Sequence, residues 1–128
     1  MIAYHATSKS ALEKIMKNGF LKEKSYWAVD EKIHEYYLET ITDDGEVPVS
    51  IVINISDLNI MDLSPDIQGI EEPLTYTLGK TEEEVWKEWV DSTQTWKDCI
   101  QIIGSFVYNK TIPVEILEIQ ENLNYSLK

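Results

Sequence analysis

The residues able to do chemistry in this chain are few, and the first of them sits near its start. His5 ends a short apolar run and is followed by Ala6, Thr7 and Ser8 in "IAYHATSKSALEKIMKNGF", residues 2–20. An imidazole both donates and accepts hydrogen bonds, so a histidine beside small hydroxyl residues suits a polar ligand. The remaining candidates have plainer readings. Cys99 has no adjacent histidine to activate it and reads as an inert strand residue. "DSTQTW" (91–96) offers hydroxyls and amides but reads as a helix end and loop, and Asp57 and Asp62 are too generic to assign. His34 is expected to face solvent, and Trp86 and Trp89 to belong to the core. Two histidines and one cysteine show no metal-ligand spacing. Taken singly, His5 reads as a structural or surface histidine, and Tyr26 and Tyr37 as core aromatics.

Charge narrows the partners. Twenty-three acidic residues face 11 basic ones, for a formal net charge of -12, and all 11 are lysines. So negative a field repels phosphate backbones, and the clearest basic patch, Lys14, Lys17, Lys22 and Lys24, is diluted by Glu13 and Glu23. Nucleic-acid binding is therefore disfavoured. Without arginine there is no bidentate guanidinium clamp. An anion site would need lysine, backbone N–H groups, hydroxyls or a helix N-terminus. A single cysteine forms no internal disulfide, which fits a reducing cytoplasm. No apolar run approaches the roughly 20 residues needed to span a bilayer, and no basic-then-apolar start predicts a secretory signal. The 128 residues suit one domain, residues 1–128, with a real core.

The elements that must position these residues follow from pattern. Residues 2–6 read as a strand. Ser8 or Ser10 caps a helix carrying Ala11, Leu12, Ile15 and Met16, which stops at Asn18-Gly19. "SYWAV" (25–29) is a strand, and Asp30 caps a helix to about Thr40 with Ile33, Tyr37 and Ile41 on one face. Tyr36 exchanges roles with Tyr37 if the helix phase differs. "VPVSIVINIS" (47–56) alternates cleanly, and Pro48 suggests that it starts at an edge. Residues 57–80 read mostly as loop. "TEEEVWKEWV" (81–90) opens with a capping box, Thr81 and Glu84, before a stripe of Val85, Trp86, Trp89 and Val90. "CIQIIGSFVYN" (99–109) is expected to be a strand bulged at Gly104, and "VEILEI" (114–119) the last strand. The sum is an α+β domain, helices early and strands late.

The opening block goes further. Tyr4, His5, Ala6 and Thr7, then a helix ending at Gly19 and Phe20, resemble the first strand and helix of the ADP-ribosyltransferase superfamily. The histidine-tyrosine-glutamate subclass, typified by diphtheria toxin and the poly(ADP-ribose) polymerases, is the nearer likeness. The arginine-based toxins and the tRNA 2'-phosphotransferases need arginines that this chain lacks. "SYWAVDEKIHEYY" is similar to that family's strand-then-helix segment, in which Tyr26 and Tyr37 would line a nicotinamide pocket. "SIVINISDLNIMDL" and "FVYNKTIPVEILEI" fit the central and closing strands.

The resemblance implies a compact, split antiparallel β core with flanking helices and a cleft between two sheets. It implies NAD as substrate or ligand. His5 would hold a ribose hydroxyl, the backbone at Ala6 and Thr7 the nicotinamide amide, and the tyrosines would stack on the ring. A glutamate would stabilise the oxocarbenium-like transition state. Counting back from Ile112-Pro113 places that glutamate at Ser105, beside Gly104, where no charge exists. Asp98 and Gln101 are the nearest substitutes and need a shift of register.

Two functional classes follow. One is an ADP-ribosyltransferase-like protein that binds NAD or a related ADP-ribose nucleotide, with transferase activity weak or lost for want of the glutamate. The other is a non-enzymatic acidic interaction protein with a protein partner, such as an inhibitor from a phage or mobile element, that uses the same fold as a scaffold.

Overall fold

A computed structural model describes residues 1–66, 81, 83, 84 and 95–121. Within them the chain is α+β, built on a six-stranded antiparallel sheet ordered β5-β6-β3-β1-β4-β8 and a two-stranded ribbon, β2-β7. The strands are β1 (Ile2–Ser8), β2 (Phe20–Leu21), β3 (Ser25–Ala28), β4 (Pro48–Asn54), β5 (Leu63–Ser64), β6 (Ser105–Tyr108), β7 (Ile112–Pro113) and β8 (Glu118–Glu121). The helices are α1 (Lys9–Asn18), α2 (Glu31–Asp43) and α3 (Trp96–Ile103). None of them is long and apolar enough to cross a membrane.

The early helices begin and end where their sequence signals lie. Ser8 Oγ accepts from the Ala11 N–H at 3.1 Å, and Gly19 closes α1 in the left-handed region at φ 86°. Asp30 accepts from the Lys32 N–H at 2.8 Å and starts α2. Thr81 and Glu84 make their reciprocal capping bonds. The stripe Val85, Trp86, Trp89 and Val90, and residues 91–94 of "DSTQTW", lie outside the described residues.

Alternation along the strands sorts two faces. Ala3, Trp27, Ile51, Ile53, Phe106 and Tyr108 share the apolar core under α1, with Leu12 and Ile15 packed against it. Tyr4, Ala28, Ser50 and Ser105 occupy the opposite face, which α2 covers with His34 and Leu38. The helix therefore turns His34 and Leu38 inward rather than the expected Ile33 and Tyr37. Buried at 6% exposure, His34 is not a solvent-facing residue.

The sheet is held unevenly. β1 runs against β4 over seven paired positions, yet meets β3 at one, Tyr4↔Ala28. It is thus split into two halves, β5-β6-β3 and β1-β4-β8.

Other expectations change as well. Residues 99–103 belong to α3, not to a strand, and Gly104 is that helix's left-handed cap at φ 69°, not a bulge. A helix so late in the chain also breaks the expected order of helices first and strands last. β4 lies inside the sheet, and Pro48 is tolerated because it is the first residue of the strand. Residues 114–116 form a 3-10 turn, so the last strand starts at Glu118.

Candidate functional site

Where β1 and β3 part, backbone groups lose their ladder partners and must find others. The Tyr26 carbonyl accepts a 2.7 Å hydrogen bond from His5 Nδ1 across the gap. A carbonyl can only accept, so Nδ1 carries the proton. Burial lowers the pKa of His5, against the opposing pull of that carbonyl. The ring is thus neutral, with a lone pair left on Nε2. It also lies against Trp27, 5.3 Å between ring centroids.

A cleft of about 540 Å³ opens at this split. Its floor is the sheet face carrying Tyr4, Ala6, Ala28 and Ser105, and α2 forms one wall through His34, Tyr37, Thr40 and Ile41. The cleft therefore lies between the halves of the six-stranded sheet and beneath α2, and no described residue of the β2-β7 ribbon lines it. His5, Ala6, Tyr26 and Tyr37 all meet there. Tyr26 and Tyr37 are each about half exposed, 48% and 49%, so they rim the opening rather than fill the core. Tyr36 is more exposed at 65% and contacts Tyr37 edge-on, outside the main cleft. Thr7, on β1, pairs with Val49 of β4 and does not line the cleft.

His34 stacks on Tyr4 at 4.9 Å and shares a 2.6 Å hydrogen bond between Nε2 and Ser50 Oγ. Its Nδ1 is buried with no hydrogen-bond partner among the described residues. Burial first, and the nearby His5 second, push its pKa down to about 4. Both imidazoles are therefore uncharged at neutral pH.

Ser105, the place the resemblance gives to the glutamate, is buried in this cleft at the first residue of β6. Neither proposed substitute reaches it. Asp98 accepts from the N–H and the hydroxyl of Thr95 at 2.7 and 2.9 Å, capping α3, and those bonds lower its pKa. Gln101 is exposed on α3. Neither lines the cleft, because residues 96–103 are helical and no slip of β6 can bring them in.

A different acid is present. β5 pairs with β6 as Leu63↔Tyr108 and Ser64↔Val107, and the same register carried two residues further sets Asp66 opposite Ser105. Ser105 Oγ donates to Asp66 Oδ2 at 3.2 Å. The segment is fastened on both sides. Asn109 Nδ2 donates to the Asp62 carbonyl and to Ser64 Oγ at 3.1 and 2.9 Å. The Asp66 N–H donates to Cys99 Sγ at 3.3 Å, and that thiol faces the Asp66 carbonyl at 3.9 Å. Burial, and the charge of Asp66, raise Cys99 to about 11, so its thiol stays protonated and unreactive. Burial and then Asp66 also raise the pKa of Tyr37. Among the described residues lining the cleft, Asp66 is the one carboxylic acid.

A second, smaller cavity of about 330 Å³ adjoins, lined by Lys32 and Ile33 of α2 and sharing Tyr37, Asp66 and Ser105 with the first. Sequence reading missed both Asp66 and this cavity. "LSPD" gave one usable signal, since Pro65 has no N–H to continue a strand and marks where β5 must end.

No protein-family model, no curated protein and no solved structure matches the chain.

Proposed function

We propose that the cleft binds NAD or a related ADP-ribose nucleotide by its nicotinamide-ribose end. The observation that supports this reading is the convergence of His5, Tyr26 and Tyr37, from three separate elements, on one cavity of nucleoside size. Half-exposed tyrosine rings at the rim suit stacking against a flat heteroaromatic. A neutral His5 with a lone pair on Nε2 suits a ribose hydroxyl, which can donate to it. Strand β6 itself contributes a serine and no charge, so on β6 alone transferase activity is weak or lost.

Titration calorimetry of the protein with NAD and with ADP-ribose tests the reading. Both should bind. Tyr37→Ala should weaken binding by about 1–3 kcal/mol, the range of other base-aromatic stacks. His5→Ala should weaken it by about 0.5–1.5 kcal/mol, as the loss of a hydrogen bond to a neutral group. No heat from either nucleotide at millimolar concentration would refute it and leave the acidic interaction protein as the reading to pursue.

A further inference from the structure

We propose that Asp66 is the catalytic carboxylate of this cleft, delivered to Ser105 from the segment after β5. The proposal rests on the NAD reading above and extends it from binding to bond cleavage. Strand pairing carries the argument. The register of β5 on β6 sets Asp66 across from Ser105, and the side chains meet there at 3.2 Å. Thirty-nine residues apart in sequence, the two together place a carboxylate where β6 alone offers a hydroxyl.

The surroundings suit a charge that acts on a ligand. Asp66 is 7% exposed yet lines both cavities, so it sits at their junction. The Cys99 thiol and the Asn109 amide hold the segment on either side, which limits the reorganisation a ligand would have to induce. Its field is felt at Tyr37, on the rim where a ring would stack. Both imidazoles of the cleft are neutral, so a cationic ligand meets no opposing charge from them.

The step balances simply. The bond between ribose C1' and the pyridinium nitrogen breaks, and its electron pair stays on nitrogen, giving neutral nicotinamide. Positive charge moves to C1' and the ring oxygen of the ribose, where Asp66 opposes it. A water oxygen then bonds to C1' and gives one proton to solvent. The products are nicotinamide, ADP-ribose and a proton. The second cavity, which shares Tyr37, Asp66 and Ser105 with the first, provides a separate approach for the water.

Nicotinamide release from NAD, followed by chromatography, tests the proposal beside calorimetry with NAD and ADP-ribose. Wild type should bind both and release nicotinamide. Asp66→Asn should release it about 100- to 1000-fold more slowly, with ADP-ribose affinity little changed. Asp66→Ser, whose hydroxyl can still meet Ser105, should show the same loss and serves if the asparagine variant folds poorly. Asp66→Asn combined with Ser105→Glu returns a carboxylate from the other strand and should recover most of the rate. Wild type that binds NAD without releasing nicotinamide, or Asp66 variants that turn over at the wild-type rate, would overturn the role of Asp66 and leave the binding reading standing. Wild type that binds neither nucleotide would overturn both.

Discussion

His34 makes the stability of this protein depend on acid in a way that can be isolated. The imidazole is 6% exposed, wedged between Tyr4 and Ser50, and takes up a proton near pH 4 instead of the 6.5 of a free histidine. The unfolded chain therefore binds this proton in a range where the folded chain does not. Its contribution to stability is complete above pH 6.5 and is lost as pH falls toward 4. A shift of roughly 2.5 units corresponds to about 3 kcal/mol in total, of which about 2.5 kcal/mol should disappear between pH 7.5 and pH 4.5. His34→Gln keeps an amide near Ser50 but cannot titrate. Urea unfolding of both proteins at both pH values gives four stabilities. The fall on acidification should be about 2–3 kcal/mol smaller in the glutamine variant. Carboxylates common to both proteins cancel in that difference. Equal falls, or a His34 ring resonance that titrates near 6.5 in the folded protein, would refute the reasoning.

Gly104→Ala should destabilise the fold by more than the roughly 1–2 kcal/mol that a left-handed backbone costs an L residue, because its Cβ would stand 2.8 Å from Asp30 Cβ; a shift in urea midpoint measures it. Cys99 should resist alkylation by iodoacetamide at pH 8 in the native protein and react fully in urea, since its thiol is buried and raised to about 11. NAD should bind more tightly than its reduced form: a unit charge about 4–8 Å from Asp66, at an effective dielectric near 20, is worth roughly 2–4 kcal/mol. Asp66→Asn should abolish that preference in a calorimetric comparison.

Local signals in the sequence were enough where an element announces itself in adjacent residues. Ser8, Gly19, Asp30, Thr81 and Glu84 are caps that act within one turn, and each does in the fold what its position predicts. α3 is obscured in the sequence because Cys99, Ile100, Ile102 and Ile103 favour strands by composition. The better signal was there: Thr95 with Asp98 is a capping pair, and Trp96, Cys99, Ile100 and Ile103 recur at helical spacing. The burial of His34 is hidden in the sequence because a polar residue on the inner stripe of α2 breaks the apolar period that sets the phase. It is tolerated there because Ser50 meets its Nε2 and Tyr4 stacks on its ring. Asp66 was beyond reach for a different reason. Its partner Ser105 comes to it only through the pairing of two short strands, and no local pattern encodes a register across 39 residues.

Charge ties the whole chain to its cleft. On the proposed reading, NAD would bring one cationic ring and two phosphates to a protein with a net charge of -12 and no arginine. The described lining of the cleft offers two neutral imidazoles, phenols and one carboxylate, and no cation. On that reading, the ring and its ribose would sit inside and the phosphates at the mouth, where the acidic surface repels them. Salt does not act equally on these two parts. Exposed charges farther apart than about 8–10 Å are screened at ordinary ionic strength, whereas a partly buried contact such as the proposed one with Asp66 would be screened much less. Raising salt should thus relieve the repulsion and leave the attraction, so NAD affinity should rise between 20 and 200 mM salt, by about tenfold at most. A protein that grips phosphates with basic side chains shows the opposite slope. An affinity that falls with salt would place the phosphates on lysines and put the ring, not the pyrophosphate, outside the cleft.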